Sequence, residues 1–143
     1  MKDKFPLNII NENQKNRFVA ATSINNLYNK SVNIRSELAY LEYDYSFLIK
    51  SIQDTVSQSL QSKKADPRLY WLVGDSIVRF LERIEDIGFY LLNQNKTLSR
   101  DIGISENSIK KIISFRKRFI KLSTVNPAIP WVKYRDNKVP VHL

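Results

Sequence analysis

Few side chains in this sequence are of the kinds that perform covalent or metal chemistry. There is no Cys and a single His, His142. A thiolate nucleophile, a disulfide, a zinc ribbon and a multi-His metal site within the chain are thereby excluded, and with the lone His one residue from the last position no Ser-His-Asp triad is expected. Glu82, Glu85 and Asp86 cluster on one helical stretch. With no nucleophile or base to join them, they read as a solvated face or as ion-pair partners for Arg79 and Arg83. Asp136-x-Lys138 fits the last piece of a nuclease site only superficially, because no sheet and no earlier acid at suitable spacing accompany it. No catalytic residue, metal or cofactor is expected, no small-molecule substrate is evident, and the chain is not expected to be an enzyme.

The side chains that do suggest chemistry are cations. The formal net charge is +9. Residues 97–143 hold ten basic side chains against three acidic ones (Asp101, Glu106 and Asp136), so seven of the nine net charges fall in the last third. Such a concentration suits a polyanion, bound through phosphate contacts and counterion release. A solvated basic tail is the plainer reading of the charge alone.

The segment that opens this region sharpens the reading. Leu98-Ser99-Arg100-Asp101-Ile102-Gly103-Ile104-Ser105-Glu106-Asn107-Ser108-Ile109-Lys110-Lys111-Ile112 has the order of a helix-turn-helix. Thr97 is placed to cap a short helix ending at Ile102. Gly103 supplies the left-handed residue of the turn. Ile104 fills the angle between the helices, Ser105 caps the second one, and Ser99 keeps the approach small. On a helical wheel the apolar face of the second helix collects Ile109, Ile112, Ile113, Phe119 and Ile120. The opposite face collects Asn107, Lys110, Lys111, Ser114, Lys117, Arg118 and Lys121. Asn107, Lys110, Lys111 and Ser114 are the candidates for reading bases, and Lys117, Arg118 and Lys121 for holding phosphates. Arg116 falls toward the apolar side, where it must snorkel or meet a carboxylate.

The elements that must position this face are helical. Between Asn11 and Lys63 there is neither Pro nor Gly. Leu38, Leu41, Tyr45, Leu48 and Ile52 follow a 3-4 spacing that runs back through Ile34, Leu27, Ile24 and Ala20. One helix of that extent would be on the order of 80 Å long, so a break is expected at Asn29–Asn33. Lys63–Pro67 is a boundary, with Asp66 as N-cap and Pro67 at the first helical position. A second helix is expected from there to about Leu92, striped by Tyr70, Val73, Ile77, Phe80, Ile84, Ile87 and Leu91. Gly74 and Gly88 inside it suggest close packing. Residues 1–65 thus read as a helical arm that either dimerises or folds back as core, and residues 66–143 as the helix-turn-helix domain with a basic tail. Trp131–Arg135 and Lys138–Val141, joined at Asp136-Asn137, form either a small hairpin wing bringing in Lys133, Arg135 and Lys138, or an extended tail anchored by Trp131.

Tyr70-Trp71-x-x-Gly74-x-x-Ile77, Leu98-Ser99-x-Asp101 and Gly103-x-Ser105-x-x-x-Ile109 up to Phe115 resemble the helical N-terminal domain of YhcG-type nucleases over roughly residues 66–122. The pattern departs at Phe115-Arg116, where that family tends to have Phe-Tyr. The resemblance implies a DNA-associated helical module without a catalytic centre of its own, because the family's nuclease domain follows this region. The combined expectation is an all-α protein that binds nucleic acid, DNA favoured over RNA, as a homodimeric regulator or accessory factor. The alternative is a non-catalytic helical module docking onto a larger nucleoprotein complex or RNA. Met1–Pro6 has no apolar stretch behind its charges, and no run of about 18 apolar residues exists. No signal peptide or membrane partner is therefore expected, and a cytoplasmic setting is, nucleoid-associated if the source is bacterial.

Overall fold

The computed structural model describes residues 18–20, 34–61 and 66–141. The chain is all-α with one small antiparallel ribbon. The elements among the described residues are β1 (Phe18–Ala20), α1 (Ile34–Gln61), α2 (Pro67–Asp86), β2 (Phe89–Leu91), α3 (Gln94–Ile102), α4 (Glu106–Arg118), a 3-10 turn (Leu122–Thr124) and α5 (Trp131–Arg135).

α1 buries the stripe legible in the sequence: Leu38, Leu41, Tyr45, Leu48 and Ile52 all face the interior. They share one core with Ile77, Phe80 and Ile84 of α2, Leu98 and Ile102 of α3, and Ile109 and Ile112 of α4. Of the two roles open to the arm, this stripe takes the core one. The Tyr45 hydroxyl donates to Asp101 Oδ2 at 2.7 Å, and Gln53 Nε2 donates to the Asp101 carbonyl at 3.1 Å. These bonds fasten α1 to the end of α3.

Two expectations about helix extent fail. The stripe does not continue as helix to Ala20, because Phe18–Ala20 is a strand paired with β2, Phe18 opposite Leu91 and Ala20 opposite Phe89. Phe18, Phe89 and Leu91 are buried while Tyr90 faces out, the alternation a half-buried ribbon needs. Ile24, Leu27, the expected break at Asn29–Asn33, and Lys63–Ala65 lie outside the described residues. The second helix starts as expected, with Asp66 Oδ1 accepting from the Arg68 N–H at 3.0 Å, but it stops at Asp86 and not near Leu92. Gly88 is the reason: its φ of 91° is left-handed, and its N–H closes on the Glu85 carbonyl at 3.0 Å. Read from sequence as an interior helix glycine, it is a helix stop that turns the chain into β2.

Gly74 does have the close-packing role. A Cβ there would lie 2.8 Å from Arg116 Cβ and 2.9 Å from the Ile112 carbonyl oxygen, so α4 crosses α2 directly over it. At the same crossing Arg116 Nε donates to Asp75 Oδ1 at 2.8 Å, and its guanidinium sits 5.1 Å from the Trp71 ring centroid. The carboxylate expected for Arg116 is therefore Asp75. Asp75 also takes Arg79 at 2.9 Å, and Arg83 reaches Asp44 at 3.8 Å. Glu82, Glu85 and Asp86 are consequently not the partners of those two arginines; they form the solvated face.

A second core lies on the other flank of α4. Trp71, Phe115, Phe119, Val125 and Tyr134 are buried together. Trp71 Nε1 donates to the Phe119 carbonyl at 2.6 Å, and Tyr70 stacks on Trp131 at 4.3 Å between ring centroids. This core decides the form of the C-terminal segment. Residues 131–135 are the helix α5, not the first strand of a hairpin, so the wing is not formed. Trp131 and Tyr134 stand three residues apart, and one helical turn brings both onto the aromatic cluster, whereas strand alternation would send them to opposite faces. Trp131 anchors the tail, as the other reading held, but the tail is helical there and not extended.

Candidate nucleic-acid interface

The turn between α3 and α4 has the local chemistry its residues dictate. Gly103 has φ 94°, and its N–H bonds the Ser99 carbonyl at 2.9 Å. The Ser99 hydroxyl donates to the Ile104 carbonyl at 2.5 Å, so this small residue also pins the turn. Ser105 caps α4 by accepting from the Ser108 N–H at 3.0 Å. Leu98, Ile102, Ile109 and Ile112 are buried, and Ile104 is half-buried against them. Thr97 is not a cap: α3 begins at Gln94, and the Thr97 hydroxyl donates to the Leu92 carbonyl at 2.7 Å from inside the helix. Asn93, at φ 47°, makes the entry.

The outward face of α4 carries Asn107, Lys110, Ser114 and Lys117 in solvent and Lys111 and Arg118 half-buried. The helix ends at Arg118, so the wheel cannot be continued through residues 119–121. Phe119 is buried as expected, but Ile120 is 70% exposed and does not belong to the apolar face. Lys121 is exposed beyond the helix end. Phe115, which the wheel puts on the polar side, is fully buried because the C-terminal segment covers that flank.

Two open grooves run along α4. One, of about 290 Å³, is lined by Asn107, Lys110, Lys111, Ser114, Arg118, Arg135 and Asn137. The other, of about 380 Å³, lies on the α3 side and is lined by Gln94, Asn95, Lys110, Ile113, Ser114, Lys117 and Arg118. Seven of the ten sequence-predicted residues, Asn107, Lys110, Lys111, Ser114, Lys117, Arg118 and Arg135, are thus brought together. Lys121, Lys133 and Lys138 are exposed and line neither groove. Asn137, Gln94 and Asn95 were missed. Asn137 lies in the Asp136-Asn137 turn, read from sequence only as a connection, and the signal for Gln94 and Asn95 was the polar run Asn93–Lys96 before α3.

Among the described residues Lys110, Lys111, Lys117 and Arg118 form no ion pair. Arg118 donates from Nη2 to the Tyr134 carbonyl at 3.0 Å, while its Nη1 is buried with no hydrogen-bond partner. Burial pushes its pKa below the usual guanidinium value, yet a guanidinium stays charged. The result is a partly desolvated cation with no carboxylate to neutralise it. Asp136, beside the groove, binds Arg135 at 3.0 Å, and Glu82 and Glu85 line a neighbouring groove of about 410 Å³ with Lys117 and Gln94. The Arg135 hydrogen bond, helped by the charges of Lys111 and Lys138, holds the Asp136 carboxyl below the usual range.

The sequence matches no protein-family model, and neither characterised proteins nor solved structures give a match. The face must be read on its own chemistry. Among the described residues no three His, Cys, Asp or Glu side chains form a metal-binding group, and no helix is long and apolar enough to cross a membrane.

Proposed function

We propose that this chain binds nucleic acid, DNA in preference to RNA, by laying the outer face of α4 against it, and that it acts as a homodimeric, non-catalytic regulator or accessory factor. The observation that carries the reading is the grouping of four cations without acidic partners on one helix face behind a capped turn. Hydrogen-bonding side chains Asn107 and Ser114 stand between them. Phosphates would meet Lys117, Arg118 and Arg135, and the N-terminal half of α4 would carry base contacts from Asn107, Lys110 and Lys111. Lys121, Lys133 and Lys138 extend the positive field beyond the grooves. The resemblance of residues 66–122 to the helical domain of YhcG-type nucleases points the same way.

A gel-shift series from low to moderate salt tests the reading. Duplex DNA should be retarded at low salt, and Lys110→Glu with Lys111→Glu should abolish the shift. A chain that leaves DNA unshifted at the lowest salt would sink the proposal. Preference for single-stranded RNA in the same series would replace DNA as the partner.

A further inference from the structure

We propose that two copies of this chain pair through the outer face of α1, where Tyr40, Tyr43 and Phe47 stand together in solvent. The inference deepens the dimeric part of the reading above and rests on that part alone. The inward stripe of α1 is consumed by the core, so a dimer needs another surface. Tyr40, Tyr43 and Phe47 are 71%, 72% and 68% exposed. Spaced i, i+3, i+7, they make one continuous ridge on a 28-residue helix. Large aromatics bury about 150–250 Å² each, so the three present roughly 400 Å². A lone exposed apolar residue needs no explanation, but a contiguous patch of this size is as large as the largest on a typical monomer, and such a patch is often functional.

The ridge complements itself. Lys50 follows Phe47 on the same face and is exposed, and the small residues Ala39 and Ser46 flank the aromatics. When a second α1 is turned end for end about residue 45, Tyr43 of each copy faces Phe47 of the other, and each Lys50 ammonium reaches the partner's Tyr40 ring. Aromatic pairing and cation–π attraction favour that register. No charge interrupts the stripe between Tyr40 and Phe47, and the small flanks let the helices approach. The rings of two copies contribute roughly 800 Å², and the stems of Lys50 with Ala39 and Ser46 carry the total past the roughly 1,000 Å² a specific interface requires. An anionic membrane surface fits less well, because Asp44 and Asp54 flank the ridge where such a helix would carry cations. Pairing would set two α4 faces on one assembly, and bivalent attachment to a duplex multiplies affinity.

Sedimentation equilibrium of the full chain across a wide concentration range tests the proposal. The mass should rise from monomer to dimer with concentration. Tyr43→Lys with Phe47→Lys should hold it at the monomer, while Leu72→Lys, a comparable change at an exposed apolar residue of α2, should leave pairing intact. Unchanged circular dichroism and melting would establish that the double variant is folded. A monomer at every concentration overturns the inference, whether the ridge is covered by the chain's own residues or by another protein. A dimer that survives the double substitution overturns it equally. The result is separable from the nucleic-acid reading: a dimer that ignores DNA sinks only that reading, and a DNA-binding monomer sinks this inference and the dimeric clause it rests on while the α4 contact stands.

Discussion

The most discriminating consequence of the α4 face is a salt slope. Five cations on or just beyond the face, Lys110, Lys111, Lys117, Arg118 and Lys121, form no ion pair among the described residues. If each displaces one condensed counterion from duplex DNA, log K should fall against log salt with a slope of about −4.5. A rise from about 50 to 200 mM salt then weakens binding about 500-fold. Lys117→Gln with Lys121→Gln removes two of the five, so the slope should relax to about −2.7 and the same salt rise should cost only about 40-fold. Both are exposed lysines that form no ion pair among the described residues, so the substitution should leave the fold alone. Fluorescence anisotropy on a labelled duplex at four or five salt concentrations reads both slopes. An unchanged slope in the variant would refute the reasoning, because the cations would then be spectators and any binding would run through another surface.

Other consequences concern the scaffold and the rim. Gly74→Ala should destabilise the chain by about 1–3 kcal/mol in a denaturant titration, because its methyl would overlap the Arg116 stem and the Ile112 carbonyl, one of which is backbone and cannot swing away. Tyr45→Phe should cost about 1–2 kcal/mol in the same assay, since it strips the part-buried Asp101 carboxylate of a 2.7 Å hydrogen bond; an unchanged midpoint would mean that α1 does not depend on that tie. Asp136→Asn should tighten DNA binding and steepen the salt slope by nearly one unit, because it removes the acid beside the groove and releases Arg135. Acid should act in the same direction. The folded-state pKa of Asp136 is depressed below 3.8, so the Arg135 pair is complete at neutral pH and is lost only as pH falls through that lowered value. Chemical-shift titration of the Asp136 carboxyl would report the midpoint.

Much of the fold was legible because its signals are local or periodic. The stripe of Leu38, Leu41, Tyr45, Leu48 and Ile52 needs only the helical repeat to declare itself. Asp66-Pro67, Gly103 and Ser105 act on backbone atoms within three residues, so their turn and cap chemistry follows from residue type. The α4 cations were readable for the same reason: a helix wheel fixes which side chains share a face.

What the sequence left open depends on contacts between distant segments. Gly88 reads from sequence as a small packing residue inside a helix, and only the turn into β2, paired with Phe18–Ala20, makes it a stop. Phe115 falls on the polar side of the wheel until Trp131 and Tyr134 arrive to cover it. The tail's alternation suited a strand, and the aromatic cluster with Trp71 made it a helix. Sequence alone determined that the chain is helical, that its positive charge lies late, and that a capped turn stands before the charge. Tertiary structure decided which of those cations share a groove, that Arg116 is spent on Asp75, and that the apolar stripe of α1 is core while its aromatic ridge faces solvent. Periodicity names the faces of a helix, but only packing against remote segments determines which face is buried.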